Sequence, residues 1–412
     1  MSVEPIAARV ERMRLGAASA VSDVSTALTA LVDTSPELSG FSATDPELAL
    51  RHAQFLDSLP LSQRGRLHGL ILPIKDLMPV AGFPCSYGSI TRRTHPTETD
   101  PRAARLLAEG VIIPGKTQTS EMGMTAYCEP VGMSAVENPL WPGRTPGGSS
   151  GGAAVAVARG LVDAAHASDG GGSIRVPAAA TGTVGVKPPH NSQGGVPTAQ
   201  GFITRTIADA AFLFGAIPVR RPLRVGVLVE PLHGDGRVSP TMISTVCSVA
   251  DRLSDLGHRV QEVFRPYGHR PFAAFADVLA SRSVHIPGPA SDIIGWLRKR
   301  GGALSEARRV EAIRDFDSVR QTILTAWKID VLLTPTLAFD PPEIGHFSRL
   351  EPPEDFAEQT RWTPWATLFN MTGGAAVSVP VPVTGRPPVG IHLGSVRASF
   401  DELLGVASEI HP

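Results

Sequence analysis

Residues 168–177 read SDGGGSIRVP: a polar pair, three glycines, one serine, and then apolar chain. Glycine admits backbone conformations closed to other residues and lets a ligand approach the chain closely. The N–H groups of Gly170, Gly171, Gly172 and Ser173 can therefore converge on one point. A tetrahedral oxyanion needs such a cluster, and losing one donor typically costs about 3–4 kcal/mol of transition-state stabilisation. A hydroxyl at the end of the run stands where it can attack the carbonyl whose oxygen the amides hold. Two plainer readings use the same residues: a strand-to-helix turn capped by Ser173, and an anion-binding turn.

A second glycine-wrapped serine pair, Ser149 and Ser150 in residues 144–152, RTPGGSSGG, precedes Ser173 by 24 positions. Serine is a poor nucleophile unless a base takes its proton. The histidines, among them His166, His190, His346 and His392, show no triad spacing, although spacing in sequence does not exclude a triad in space. The other candidate base is a lysine kept neutral by burial. Lys75, in residues 72–76, LPIKD, is the lysine embedded in an apolar run beside a strand end. It fits equally well a strand-end lysine paired with Asp76.

Taken together, Lys75-Asp76, the PGGSSGG block and the block SDGGGSIRVPAAATGTVGVKP resemble the amidase signature family in motif order and spacing. The stretch 138–189 matches nearly end to end. Likeness continues at 67–69, at 106–121 (LLAEGVIIPGKTQTSE), at 330–345 and at 388–393 (PVGIHL). The resemblance implies a Ser-Ser-Lys triad. Ser173 is then the nucleophile, Ser149 the bridging serine after a cis peptide bond from Gly148, and Lys75 the base acting through Ser149. The N–H groups of Gly170 to Ser173 form the oxyanion hole, and Ser150 supports the network. The implied reaction is hydrolysis of a small-molecule amide, carbamate or urea-like compound through an acyl-enzyme, with no metal and no cofactor. Gly123 and Met124 fall where the family lines its acyl pocket. Asp169 and Arg175 flank the nucleophile and are expected to fix its loop as an ion pair rather than to touch substrate.

This sequence departs from the family pattern in four places. Gly170 stands where a bulkier residue is common, residues 188–201 form a shorter connection, His392 replaces the usual glutamine, and residues 231–329 show little likeness. Two other functions stay open. One is a glutamine-hydrolysing amidotransferase subunit, against which the segment AGFPCSYGS at 81–89 argues. The other is a non-catalytic binding relative, which filled catalytic positions make less attractive.

The elements that must hold these residues alternate between strand and helix. Strands are expected at 67–76, 110–115, 162–168, 224–230, 330–336 and 375–383, and helices at 6–32, 46–59, 100–109, 177–182, 241–256, 304–329 and 400–410. That alternation predicts an α/β fold with a central mixed, largely parallel twisted sheet covered by helices on both faces. One domain over 1–412 is expected: a helical region at 1–60, a signature core at 67–190 and a variable substrate-access region at 231–329. Residues 110–117, GVIIPGKT, fit the phosphate-loop pattern letter for letter. Yet Val111 to Pro114 read as a strand themselves, and Pro114 lacks a donor.

The 412 residues carry 38 basic and 39 acidic side chains for a net charge of −1, so no field favours nucleic acid or an anionic membrane. Three scattered cysteines point to a reduced, cytoplasmic setting rather than a disulfide scaffold. No run of about 18 apolar residues offers a membrane span. A homodimer is the assembly that family habit implies.

Overall fold

A computed structural model describes residues 4–411. Its strands, in chain order, are β1 (Phe41–Thr44), β2 (Ile74–Lys75), β3 (Gly115–Thr117), β4 (Ala164–Asp169), β5 (Val184–Lys187), β6 (Ala199–Thr204), β7 (Arg224–Val227), β8 (Arg259–Glu262), β9 (Val331–Pro335), β10 (Ala376–Val383) and β11 (Arg386–Ser395). Eight of them form one sheet in the order β4-β6-β5-β10-β11-β9-β7-β8, and the remaining three form a small sheet in the order β1-β3-β2.

The large sheet is mixed, but the parallel share is smaller than expected. Only β9-β7 and β7-β8 pair in parallel, while the pairings from β4 through to β9 are antiparallel. Part of the reason is that β10 and β11 form a tight hairpin, with Gly385 at φ +75° in its turn, and part is that β6 runs antiparallel between β4 and β5. A helix-strand rhythm in the sequence does not reveal such a strand pair inserted between two others.

Strand periodicity sends alternate residues to opposite faces. Val331, Leu333, Val377, Val379, Ile391 and Leu393 pack with the helices Ile207–Phe214, Pro240–Asp255 and Phe400–Ile410. On the other face Leu332 and Ala376 meet Phe275, Phe316 and Phe369. A further core joins the N-terminal helices to β4 and to the helix Gly151–Ala158. Helices thus cover both faces, and the β10-β11 hairpin ties strands from the two halves of the chain into one sheet.

The apolar runs at 67–76 and 110–115 form much less strand than expected. Ile71 bridges Ile112, and pairing resumes only where Ile74 and Lys75 meet Lys116 and Thr117. Pro73 and Pro114 lie in the gap on either side, each without an N–H to donate. This arrangement disposes of the phosphate-loop reading, because Lys116 is buried in β3 with its Nζ 3.1 Å from Asp76 Oδ1.

Candidate active site

Three segments converge beside the edge strand β4. Lys75 ends β2. Ser149 and Ser150 lead into the helix Gly151–Ala158, and the Gly148–Ser149 peptide bond is cis. Ser173 lies in the turn between β4 and the helix Arg175–Thr181. The short strand is docked on β4 through the His166 N–H, which donates to the Pro73 carbonyl at 3.0 Å. That contact fixes how far Lys75 reaches.

Lys75 Nζ lies 2.7 Å from Ser149 Oγ, 3.1 Å from Ser168 Oγ and 3.3 Å from the Ser168 carbonyl. Every partner is neutral, and the amine is buried. Burial pushes its pKa from 10.5 down to about 7, against the smaller opposing pulls of Cys128 and Asp169. An amine with this pKa is largely neutral above pH 7, so it can accept a proton. Ser150 joins the segments: its N–H donates to the Ser173 carbonyl at 3.2 Å, and its hydroxyl to the Ser168 carbonyl at 3.3 Å. Ser168 lies near the end of β4, and its contact with the lysine depends on where β2 docks, so no local pattern announces it.

The glycine run is held by one carboxylate. Asp169 accepts from the Gly172 N–H at 2.8 Å and from the Ile174 N–H at 3.1 Å. Its two oxygens also take Arg175 Nη2 and Nε at 2.8 and 2.9 Å. Burial alone would raise the Asp169 pKa, but Arg175 and the other donors overcome it and hold the carboxyl well below the usual range. Gly172 is therefore not a free donor here: its N–H is already used. Among the described residues the N–H groups of Gly170, Gly171 and Ser173 have no acceptor. Glycine is required at 172 because φ is +116° and a Cβ would sit 2.7 Å from that of Ala366.

His392 has a structural place. It projects from β11 on the face opposite Ile391 and Leu393, with Nε2 2.9 Å from Arg175 Nη1 and Nδ1 3.2 Å from Thr334 Oγ1. Burial and the adjacent guanidinium push its pKa well down, so it accepts from Arg175 as a neutral ring. Asn370 completes the cluster, accepting from Arg175 at 2.8 Å and donating to the Asp169 carbonyl at 3.0 Å. Sequence reasoning missed Asn370, which lies 201 positions from Asp169.

A cavity of about 430 Å³ opens over these groups, lined by Lys75, Ser149, Ser173, Gly170 and Gly171. Gly123 and Met124 line it too, but Gly172 does not. The far walls come from two regions without motif signals. The helix Arg270–Ser283 and the chain after it supply Phe272, Phe275, Leu279 and Ile286, and the helix Pro352–Trp362 supplies Phe356 and Gln359. Gln359 Oε1 also receives the Ala126 N–H at 2.7 Å, which fixes the segment after Met124. Serine, amide donors and a neutral amine around one cavity can carry out acyl transfer to water.

The Amidase family profile matches residues 24–218 and 215–404. The chain belongs to the amidase family. AmiC of Mycobacterium tuberculosis is 29% identical over 89% of this chain and 88% of its own length. AmiA2 of the same organism is 30% identical over 91% of this chain and 86% of its own. Among solved structures, 6-aminohexanoate cyclic dimer hydrolase in complex with its substrate superposes with a TM-score of 0.85 at 23% identity, covering 99% of this chain and 96% of that one. A bacterial aryl acylamidase of the amidase signature family gives 0.80 at 21% identity, covering 99% and 97%. The fold is thus that of amidase signature enzymes. The family places the chain as a hydrolase of amide C–N bonds and does not favour the amidotransferase reading. Among the described residues no helix is long and apolar enough to cross a membrane.

Proposed function

We propose that Ser173 is the nucleophile of this amide hydrolase, with Ser149 as proton carrier and Lys75 as base. The observation that carries the reading is the 2.7 Å contact between the buried Lys75 amine and Ser149 Oγ. Ser173 Oγ attacks the substrate carbonyl carbon while its proton passes through Ser149 to Lys75. The developing oxyanion takes the N–H groups of Gly170, Gly171 and Ser173. The proton then returns through Ser149 to the leaving nitrogen, the C–N bond breaks and the amine departs. Water attacks the acyl-enzyme along the same relay, releasing a carboxylic acid and restoring the Ser173 hydroxyl. Ser150, Asp169 and Arg175 position the loop and touch no reacting atom.

The substrate class we propose is a medium-sized amide with an aryl or alkyl body. Supporting this are the aromatic and thioether walls of Phe272, Phe275, Phe356, Met122 and Met124, and a volume in the range that holds small ligands. The structural neighbours act on an aryl acylamide and a cyclic aminohexanoate dimer by name. The test is amine release from anilides, alkyl amides, carbamates, ureas and glutamine, beside Ser173→Ala and Lys75→Ala. Release that vanishes in both variants, with fluorophosphonate labelling lost in Ser173→Ala, supports the triad. Release that survives Ser173→Ala overturns it.

A further inference from the structure

The charged side chains lining the cavity are Lys75, Arg102 and Arg282, and no aspartate or glutamate accompanies them. This contrasts with the nearly even overall balance of 38 basic and 39 acidic residues. The three cations are not equivalent. Lys75 is held near neutrality by burial. Arg102 is already matched, its Nε and Nη2 lying 2.9 and 2.8 Å from the two oxygens of Asp100. Arg282 has no carboxylate partner among the described residues, and its one hydrogen bond there runs from Nε to the Gly195 carbonyl at 3.0 Å. Arg282 is exposed, and neither Nη group has a protein acceptor among the described residues.

That single bond orients the side chain. Gly195 belongs to the short connection between β5 and β6, and the N–H groups of Gly194 and Gly195 both donate to the Asp317 carboxylate, at 3.0 and 3.3 Å. Arg282 itself sits in the last turn of the helix Arg270–Ser283, whose Phe272, Phe275 and Leu279 form the apolar wall. The guanidinium therefore stands at the end of that wall, tethered through Nε with its outer edge free. A planar fork with two free nitrogens matches a carboxylate in bidentate geometry.

We propose that Arg282 determines specificity by pairing with a carboxylate on the substrate, so that the preferred amides carry an acidic group beyond their apolar body. The proposal rests on the same cavity being the site of amide cleavage. Thr198, beside Gly170, and Gln200, whose Oε1 lies 3.1 Å from His166 Nε2, add hydroxyl and amide groups to the polar part of the lining. A substrate of this kind brings the charge that the cavity lacks, and the partner that Arg282 lacks.

The test separates binding from chemistry. Two pairs serve as probes: 4-acetamidobenzoate with its methyl ester, and 5-anilino-5-oxopentanoate with its methyl ester. One pair places the charge on the amine side and the other on the acyl side. Calorimetry on Ser173→Ala compares acid with ester, and the measurement is repeated in Ser173→Ala/Arg282→Gln and Ser173→Ala/Arg282→Lys. In at least one pair the acid should bind about 2- to 5-fold more tightly than the ester, the range expected for an ion pair with an exposed cation. The ratio should collapse towards one in the glutamine variant, return in part with lysine, and shrink as salt is raised. Acid and ester binding alike in both pairs, or a ratio that survives Arg282→Gln, overturns the proposal. Kinetics on the active enzyme distinguish the two readings. Cleavage of the esters that depends on Ser173, without any preference for the acids, sinks the carboxylate site alone. Cleavage that does not depend on Ser173 sinks the triad, and the binding ratio still decides the role of Arg282.

Discussion

Lowering the pH should switch the enzyme off through one buried amine. With a pKa of about 7, Lys75 is about 90% neutral at pH 8, about 10% at pH 6 and about 1% at pH 5. If only the neutral amine accepts the serine proton, kcat/KM falls about tenfold from pH 8 to pH 6 and about a hundredfold to pH 5. An ordinary lysine would be neutral in only about 0.1% of molecules at pH 7.5, so burial supplies several hundredfold more working base. The sign follows from desolvation, which disfavours the cation: activity is present above about pH 7 and lost below it. The assay is kcat/KM for a non-titrating anilide between pH 5 and 9, because that ratio reports the free enzyme. Lys187 is a needed control. It is a second buried lysine pushed down to about 7, its Nζ 2.7 Å from the Gly374 carbonyl and outside the cavity lining. Lys187→Met should keep the acid limb. A rate that is flat from pH 8 to pH 5, or a limb that moves with Lys187→Met, would refute the assignment to Lys75.

Two substitutions probe the loop itself. Asp169→Asn leaves the buried Arg175 charge uncompensated and weakens the hold on the Gly172 and Ile174 amides. It should lower the unfolding free energy by about 3–5 kcal/mol in urea titration and reduce fluorophosphonate labelling; an unchanged midpoint would count against the clamp. Gly172→Ala places a methyl group 2.7 Å from the Ala366 Cβ and 3.0 Å from Val176 Cγ2 at a φ of +116°. It should cost at least about tenfold in kcat while the far-UV circular dichroism is kept, and a wild-type kcat would show that the loop has room to spare.

The Ser-Ser-Lys arrangement is legible in the sequence through the motif resemblance, since composition alone makes Ser173 and Lys75 no more than candidates. Glycines around Ser149 and Ser173 bare the backbone, and apolar neighbours bury Lys75. What surrounds them is not legible in the same way. Nothing local to Asp169 says that it occupies the Gly172 N–H, and nothing local to Phe272, Phe356 or Arg282 says that they face Ser173. The last three placements arise from tertiary packing between segments more than 90 residues apart, whereas the Asp169 contact spans three residues and depends on the shape of the turn. The fold shows the same division. Helix limits follow from caps and periodicity at Phe400–Ile410, where Ser399 and Glu402 form a capping box, but the expected helix at 6–32 is two, Ile6–Arg14 and Ala20–Val32, broken at Gly16 with φ +74°. Strand direction does not follow from such signals. The apolar runs at 67–76 and 110–115 read as full strands, whereas prolines at matching places leave each only a few paired residues.

The position of the β10-β11 hairpin makes it the keystone of the sheet. Without it β4, β6 and β5 end in an unpaired edge at β5, and β9, β7 and β8 form a second fragment with no edge in common with the first. Residues 376–395 join the two fragments into one sheet, and His392 on β11 gives Arg175 an acceptor beside Asp169 and Asn370. The nucleophile loop thus draws an anchor from a segment 217 positions away, and a chain without that hairpin loses both the continuity of the sheet and that anchor.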